Sequence, residues 1–169
     1  PVVVDLCTGS GAIALALATE CPRAQVHAVE LSPEAFAWAQ ANVRDLGAEV
    51  DLRLGDATTA FEDLAGEVDV VVSNPPYIPT TMEPVDPEVR DHDPALALYG
   101  GDATGLAIPV QVAARAAYLL RPGGVLVMEH ADSQGESLPA ALRATGLWRD
   151  VVDHADLAGR PRTTTANRA

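Results

Sequence analysis

The apolar run Val2–Leu6 ends in Cys7-Thr8-Gly9-Ser10-Gly11 and passes without a break into the Ala- and Leu-rich stretch Ala12–Thr19. A short apolar run closed by a glycine-containing turn reads as a buried strand, and the stretch after it as a helix stopped by Pro22. A strand that turns straight into a helix reaches its next partner by a crossover, which commits the chain to parallel pairing. The alternation then repeats. Gln25–Leu31 predicts a second strand. Ser32-Pro33-Glu34 opens a helix with Ser32 as N-cap and Pro33 at the first helical position, and Gly47 stands where its C-terminal cap belongs. Val50–Leu54 and Val68–Ser73 predict the third and fourth strands, with a short helix over Thr58–Leu64 between them.

Farther on, Leu106–Leu120 predicts a helix, Pro122-Gly123-Gly124 a turn and Val125–Glu129 a fifth strand. Gln134–Thr145 predicts another helix, closed by Gly146, and Trp148–Asp153 with Thr163–Asn167 a closing antiparallel pair. The expected fold is therefore α/β: a doubly wound, mostly parallel, seven-stranded sheet with an antiparallel closing strand. Composition agrees, because 48% of the residues are apolar but only 4% aromatic, leaving Val, Leu and Ala to build the core. At 169 residues one domain is expected. The apolar stretch begins right after Pro1, and a core strand seldom opens a native protein, so residues preceding Pro1 are expected to be missing.

Function classes narrow in the same way. No membrane-crossing run or leader is present, and the two cysteines, Cys7 and Cys21, are too few for a disulfide framework, so a cytoplasmic setting is expected. Eleven Lys plus Arg against twenty-four acids give a net charge of −13, which argues against a nucleic-acid groove. His27, His92, His130 and His154 are scattered, and with the cysteines give no metal-ligand spacing, so no metal is expected. His130 ends the fifth strand, where a structural role is expected. A monomer is expected.

In doubly wound sheets, ligands bind at the carboxyl ends of the strands. The run Gly9-Ser10-Gly11-Ala12-Ile13-Ala14 fits the dinucleotide pattern G-x-G-x-x-A, and Glu30, at the end of the next strand, suits a ribose hydroxyl pair. Asp5 tips the balance. A carboxylate at the mouth of the turn would repel a pyrophosphate but suits a ligand carrying an ammonium and a sulfonium, as S-adenosylmethionine does. The carboxylate of that ligand would face the positive end of the helix after Gly11. Asp56, in Gly55-Asp56-Ala57 after the third strand, is placed to accept from an adenine amine.

Asn74-Pro75-Pro76-Tyr77 follows the fourth strand. Prolines fix φ and remove backbone donors, which leaves the Asn74 side-chain oxygen and the Pro75 carbonyl as acceptors for an –NH2 group. Tyr77 offers an aromatic face for a flat group. An amide nitrogen is a poor nucleophile because its lone pair is delocalised. Two acceptors holding its hydrogens orient that lone pair and offset the positive charge growing on nitrogen, with no covalent intermediate.

DLCTGSGAIALALA (residues 5–18), Glu30, GDA (55–57) and VVSNPPYIP (71–79) together resemble the class I S-adenosylmethionine-dependent methyltransferases that modify amino groups. Among these the chain resembles the HemK/PrmC family, the release-factor glutamine methyltransferases. The likeness extends through Ala95-Leu96, Gly100-Gly101, Gly105-Leu106, LRPGGVLVMEH (120–130), Gln134-Gly135-Glu136 and Arg162–Arg168. It implies a Rossmann-like methyltransferase domain over residues 1–169 that methylates the glutamine N5 in the Gly-Gly-Gln loop of peptide chain release factors. By that resemblance Asp5, Cys7, Thr8, Gly9, Ser10, Gly11, Glu30, Asp56, Ala57 and Asn74 surround the cofactor. Asn74, Pro75, Pro76 and Tyr77 would hold the substrate, with Asn74, Pro75 and Tyr77 as catalytic groups. Cys7 departs from the glycine that most relatives carry there. The family's N-terminal helical substrate-docking domain has no counterpart in this chain.

Other readings remain at this point. Adenine also presents a flat –NH2, so an adenine-N6 methyltransferase acting on DNA or RNA shares the motif, although it must flip the base and grip phosphates. Glutamine in a ribosomal protein is a close variant, and a non-catalytic nucleotide-binding module a more distant one. The acidic group Glu83, Asp86, Glu88, Asp91 and Asp93 is either a solvated loop or a docking surface for a basic partner.

Overall fold

The computed structural model describes residues 1–83 and 94–169. Seven strands form one sheet in the order β3-β2-β1-β4-β5-β7-β6. They are β1 (Val2–Leu6), β2 (Gln25–Glu30), β3 (Val50–Leu54), β4 (Val68–Ser73), β5 (Leu120–Glu129), β6 (Trp148–Ala155) and β7 (Pro161–Arg168). The first five pair in parallel, and β7 lies antiparallel between β5 and β6. The helices are α1 (Ala12–Glu20), α2 (Pro33–Leu46), α3 (Ala95–Leu98), α4 (Ala107–Leu119) and α5 (Ser137–Ala144). The expected sheet is the observed one.

Strand order runs outward from β1 to β3 and then returns to β4 on the other side of β1. Right-handed crossovers place α1 and α2 on one face and α4 on the other. The side chains divide accordingly: Val26 and Ala28 pack with Ala14 of α1, whereas Val4, Leu6, Val71 and Leu126 pack with Val112 and Ala116 of α4. Each such fully buried Val or Leu contributes roughly 1.5–3 kcal/mol.

The sequence signals at α2 work as read. The Ser32 hydroxyl accepts from the Ala35 N–H at 3.3 Å, Pro33 opens the helix and Gly47 closes it with φ 60°. Three expectations change. The helix expected over Thr58–Leu64 is a turn followed by a 3-10 helix over Glu62–Leu64. Asp56 caps a single turn, its Oδ1 taking the N–H and hydroxyl of Thr58 and its carbonyl the Ala60 N–H, and Phe61 at φ 60° ends that turn. The helix expected from Gln134 starts instead at Ser137, after a 3-10 turn over Asp132–Gln134. Pro122-Gly123-Gly124 lies within β5, which pairs with β4 on both sides of a register shift. The closing strands are also longer than expected. Of the acidic loop residues, Asp86, Glu88, Asp91 and Asp93 lie outside the described residues, as does His92.

Among the described residues no helix is long and apolar enough to cross a membrane. Ser32→Ala should lower stability by about 1 kcal/mol, the usual cost of losing a side-chain N-cap. Urea denaturation of the two proteins measures it, and an unchanged midpoint would mean that Pro33 and packing alone fix the start of α2.

Candidate functional site

Register brings the motifs together. Leu6 pairs with Val29 on one side and with Ser73 on the other, so Cys7, Glu30 and Asn74 leave the sheet as neighbours. Glu30 pairs with Leu54, which sets Gly55 and Asp56 beside it, and Ser73 pairs with Met128, which sets Glu129 beside Asn74. The Ser73 hydroxyl donates to the Leu6 carbonyl at 2.6 Å and ties the two central strands at this end.

A cavity of about 640 Å³ opens along these strand ends, within the usual size of a small-molecule site. Cys7, Thr8, Gly9 and Ser10 form its floor beside Glu30, with Asp56 and Ala57 farther along. Asn74, Pro75, Pro76 and Tyr77 form the opposite side. Asp5 and Gly11, expected at the ligand, stand behind the cavity rather than along it. Gly11 takes φ 88° and caps α1, and a Cβ there would meet Leu15 and Ala39 at 3.4 and 3.5 Å. Those are ordinary contacts, so it is the positive φ, not lack of space, that calls for glycine here.

Asp5 is fully buried, and its Oδ2 accepts from the Thr8 hydroxyl at 2.6 Å and from the Ala14 N–H at 3.2 Å. It therefore shapes the turn and caps α1 from inside. Burial raises its carboxyl from 3.8 to about 7, against the pull of the Thr8 and Ala14 hydrogen bonds and with some help from Glu30.

Glu30 is more exposed and doubly anchored. Its Oε2 accepts from the Gly9 N–H and its Oε1 from the Ser32 N–H, both at 2.8 Å. Each oxygen keeps lone-pair capacity for a hydroxyl donor in the cavity. Asp56 is exposed, and only its Oδ1 is engaged among the described residues. The Asn74 side chain is exposed to the cavity, while Pro75 is buried beside it. Tyr77 is half-buried, and its hydroxyl donates to Glu129 Oε1 at 3.2 Å. Burial and that carboxylate push the phenol above its ordinary range, so it stays protonated and acts as the donor.

Cys7 adopts φ 67°, a left-handed conformation that costs a residue with a side chain roughly 1–2 kcal/mol. Burial, then Glu30 and Asp5, push its thiol up to about 12, so it is no nucleophile at neutral pH. Among the described residues no Lys, Arg or His lines the cavity, and none of the His, Cys, Asp and Glu side chains cluster to hold a metal. His130 is fully buried at the end of β5. Its Nδ1 lies 2.8 Å from the Ala131 carbonyl and its Nε2 2.9 Å from Asp153 Oδ1, off the line a good hydrogen bond needs. It is not among the residues that line the cavity.

Sequence reasoning passed over several groups. Ile108, Gln111 and Val112 of α4 and Leu96 and Leu98 of α3 complete the cavity wall. The i, i+4 spacing of Ile108 and Val112 was the available signal. Gln134 carried only a resemblance, yet its buried amide reaches three backbone groups around Tyr77.

Residues 1–84 match the family model described as Methyltransferase small domain. The chain takes the methyltransferase fold: a methyltransferase of Pyrococcus furiosus superposes with a TM-score of 0.71 at 21% identity, over 99% of this chain and 74% of that one. A methyltransferase of Streptococcus mutans solved in complex with SAH superposes at 0.67 and 14% identity, over 99% and 88%. The fold and the family match make this a methyltransferase domain. A release factor glutamine methyltransferase of Streptomyces coelicolor is 58% identical over all of this chain and 59% of its own length. One of Bifidobacterium longum is 50% identical over 87% of this chain and 53% of its own length. A 4-amino-L-phenylalanine/4-methylamino-L-phenylalanine methyltransferase of Streptomyces pristinaespiralis is 49% identical over 88% of this chain and 50% of its own. Over most of its length the chain is thus similar to curated release factor glutamine methyltransferases, and it spans little more than half the length of these relatives.

Asp5 binds a proton more tightly in the fold than in the unfolded chain. Its contribution to stability is therefore present below about pH 4 and lost as pH rises toward 7. Asp5→Asn keeps the acceptor and cannot ionise, so that loss should vanish. Denaturation midpoints from pH 4.5 to 7.5 measure this, with about 1.4 kcal/mol at stake for each unit of the upward shift. A difference between the two proteins that stays constant with pH would make Asp5 an ordinary carboxylate.

Proposed function

We propose that this domain transfers a methyl group from S-adenosylmethionine to the side-chain amide nitrogen N5 of a glutamine in a protein, with the Gly-Gly-Gln loop of peptide chain release factors as substrate. The observation that carries the reading is the register of β1 against β4, which sets Asn74-Pro75-Pro76-Tyr77 across one cavity from the glycine turn. The high identity to curated release factor glutamine methyltransferases supports it. Residues 1–169 act as the catalytic domain, as a monomer in the cytoplasm.

The residues present fit the cofactor. The Gly9 N–H is already spent on Glu30, and no cation among the described residues lines the cavity, a poor arrangement for a pyrophosphate. The carboxylates of Glu30 and Asp56 suit instead a nucleoside whose charge is positive. When bound, S-adenosylmethionine supplies an electrophilic methyl on a sulfonium. Glu30 accepts the ribose hydroxyls, held rigid by the two N–H groups behind it. Asp56 would accept from the adenine amine, and Ala57 would line the wall beside it. Cys7 to Ser10 would form the floor, with Asp5 holding the turn from behind.

On the other side, Asn74 Oδ1 and the Pro75 carbonyl accept from the reacting –NH2, and Tyr77 stacks against the flat group. These acceptors turn the nitrogen lone pair toward the methyl and stabilise the positive charge that develops there. As the nitrogen–methyl bond would form, the sulfur–methyl bond would break with its electron pair left on sulfur, and the nitrogen would then release one of its own two protons to water. A second reading, N-methylation of a small arylamine, is favoured by the aminophenylalanine methyltransferase among the relatives, since an aniline presents the same planar –NH2. Adenine in nucleic acid is disfavoured by the net charge of −13.

Labelled S-adenosylmethionine, the domain and a release factor, followed by mass mapping of the methylated residue, test the reading. The Gly-Gly-Gln glutamine should carry the label. 4-Aminophenylalanine and an adenine-containing duplex run alongside, and label on either of these alone would replace the proposal. Asn74→Ala should slow transfer by on the order of a hundredfold with cofactor affinity within a few-fold, read in single turnovers with pre-bound cofactor. Near-normal transfer would remove Asn74 from the mechanism.

Glu30→Gln makes a separate test of the cofactor side. Both carboxylate oxygens accept backbone N–H groups, so the new amide must set a donor against a donor. Cofactor affinity should fall by roughly 1.5–3 kcal/mol by calorimetry, no less than for Glu30→Ala. Wild-type affinity in a folded Glu30→Gln protein would place the ribose elsewhere.

A further inference from the structure

We infer that Glu129 and Gln134, both on the exit from β5, are positioning residues that hold Tyr77 at its two ends and thereby aim the Asn74–Tyr77 segment. The inference rests on the proposed reading of that segment as the acceptor of a reacting amine. It concerns residues that do not line the cavity and that no motif assigns to the reaction.

The segment needs outside support. Strand β4 ends at Ser73, and Pro75 and Pro76 have no N–H to donate. Rigidity must therefore come from Tyr77 and the residues after it. The Gln134 side chain is 3% exposed and makes three hydrogen bonds, each of 3.0 Å. Its Nε2 donates to the carbonyls of Tyr77 and Thr104, and its Oε1 accepts from the Ala131 N–H. Only a primary amide meets this demand, with two donors for two carbonyls and one acceptor for the N–H. At the other end of the same residue, the Tyr77 hydroxyl donates to Glu129.

Glycines close the assembly. Gly105 has φ 73°, and a Cβ there would fall 2.1 Å from the Tyr77 carbonyl oxygen and 2.9 Å from Gln134 Nε2. A Cβ on Gly100 would fall 2.0 Å from the Gly105 carbonyl oxygen. The backbone after Tyr77 is laced to the same loop, with Ile78 N–H donating to Leu98 and Gly100 N–H donating to Ile78, at 2.8 and 2.9 Å. The resemblance at Gly100, Gly105 and Gln134 thus has one physical cause, a close-packed backbone clamp beside the cavity.

The test uses Glu129 first, because its side chain is only half-buried and its removal spares the core. Glu129→Ala should lower kcat by about tenfold, the scale of one hydrogen bond, with cofactor affinity and Tm unchanged. Glu129→Gln keeps an acceptor and should recover most of the lost rate. Tyr77→Phe with Glu129→Ala should cost little more than either alone, because both break the same bond. Additive losses, or wild-type kcat in Glu129→Ala, would overturn the role of Glu129. For Gln134, hydrogen exchange needs no substrate: Gln134→Glu sets a carboxylate oxygen against two carbonyls and should speed exchange at Ile78 and Gly100 by about tenfold or more, with Val71 unchanged. Unchanged exchange at Ile78 and Gly100, or equal acceleration at Val71, would overturn the clamp. Absence of glutamine methylation by the wild-type protein would instead sink the proposed function and leave the exchange result standing.

Discussion

The parallel register of β1 against β4 is the constraint on which the rest of the molecule depends. Pairing of Leu6 with Ser73 makes the residues after each strand neighbours, and the Ser73 hydroxyl on the Leu6 carbonyl secures that end. A strand's side chains alternate faces with period two, so a slip of one residue along β1 would turn Val4 and Leu6 out of the core. The core therefore fixes the site. Leu6 and Val71 pack against α4, and their burial leaves only one alignment in which Cys7, Glu30, Asp56 and Asn74 share an opening.

Around that opening negative charge is organised without cations among the described residues. Asp5 lies under the turn, Glu30 is clamped by Gly9 and Ser32, and Asp56 folds back on Thr58. Each is held by N–H or O–H donors, which lets carboxylates crowd together near neutral pH. Asp5, the deepest, meets the limit of that arrangement, and burial lifts its carboxyl to about 7. Cys7 adds conformational strain at the same turn. The thiol, pushed up to about 12, brings bulk without reactivity.

Much of this was legible in the sequence because it rests on local signals. Periodicity gave the strands, Ser32, Pro33 and Gly47 gave the ends of α2, and the strand-end motifs fell together once strand order followed from the crossovers. The features that escaped reading depend on distant contacts. Nothing near Asp5 says that its carboxylate turns inward to Thr8 and Ala14 rather than outward, because a short side chain beside a turn can do either. The helix expected over Thr58–Leu64 fails because Phe61, buried in the core, takes a left-handed φ of 60°, a tertiary demand that composition does not show. Gln134 looked like a helix start, and its work is tertiary: its partners Thr104 and Tyr77 lie 30 and 57 residues away.

The contrast between the two sides of the cavity bears on the chemistry proposed for it. On the turn side the polar groups are carboxylates, which favour a positive ligand before any reaction. On the Asn74 side the acceptors are neutral amide oxygens, which bind –NH2 without favouring a cation so strongly that the product would be trapped. A neutral acceptor gains most when its hydrogen-bond partner becomes more acidic, as an amine does while its nitrogen takes on charge. Stabilisation of that kind is felt in the transition state more than in the bound substrate, which is the condition for raising kcat. It requires the acceptors to be fixed beforehand, since a loop that reorganised during transfer would give the gain back. Prolines on one side of Tyr77 and the Gln134 clamp on the other supply that rigidity.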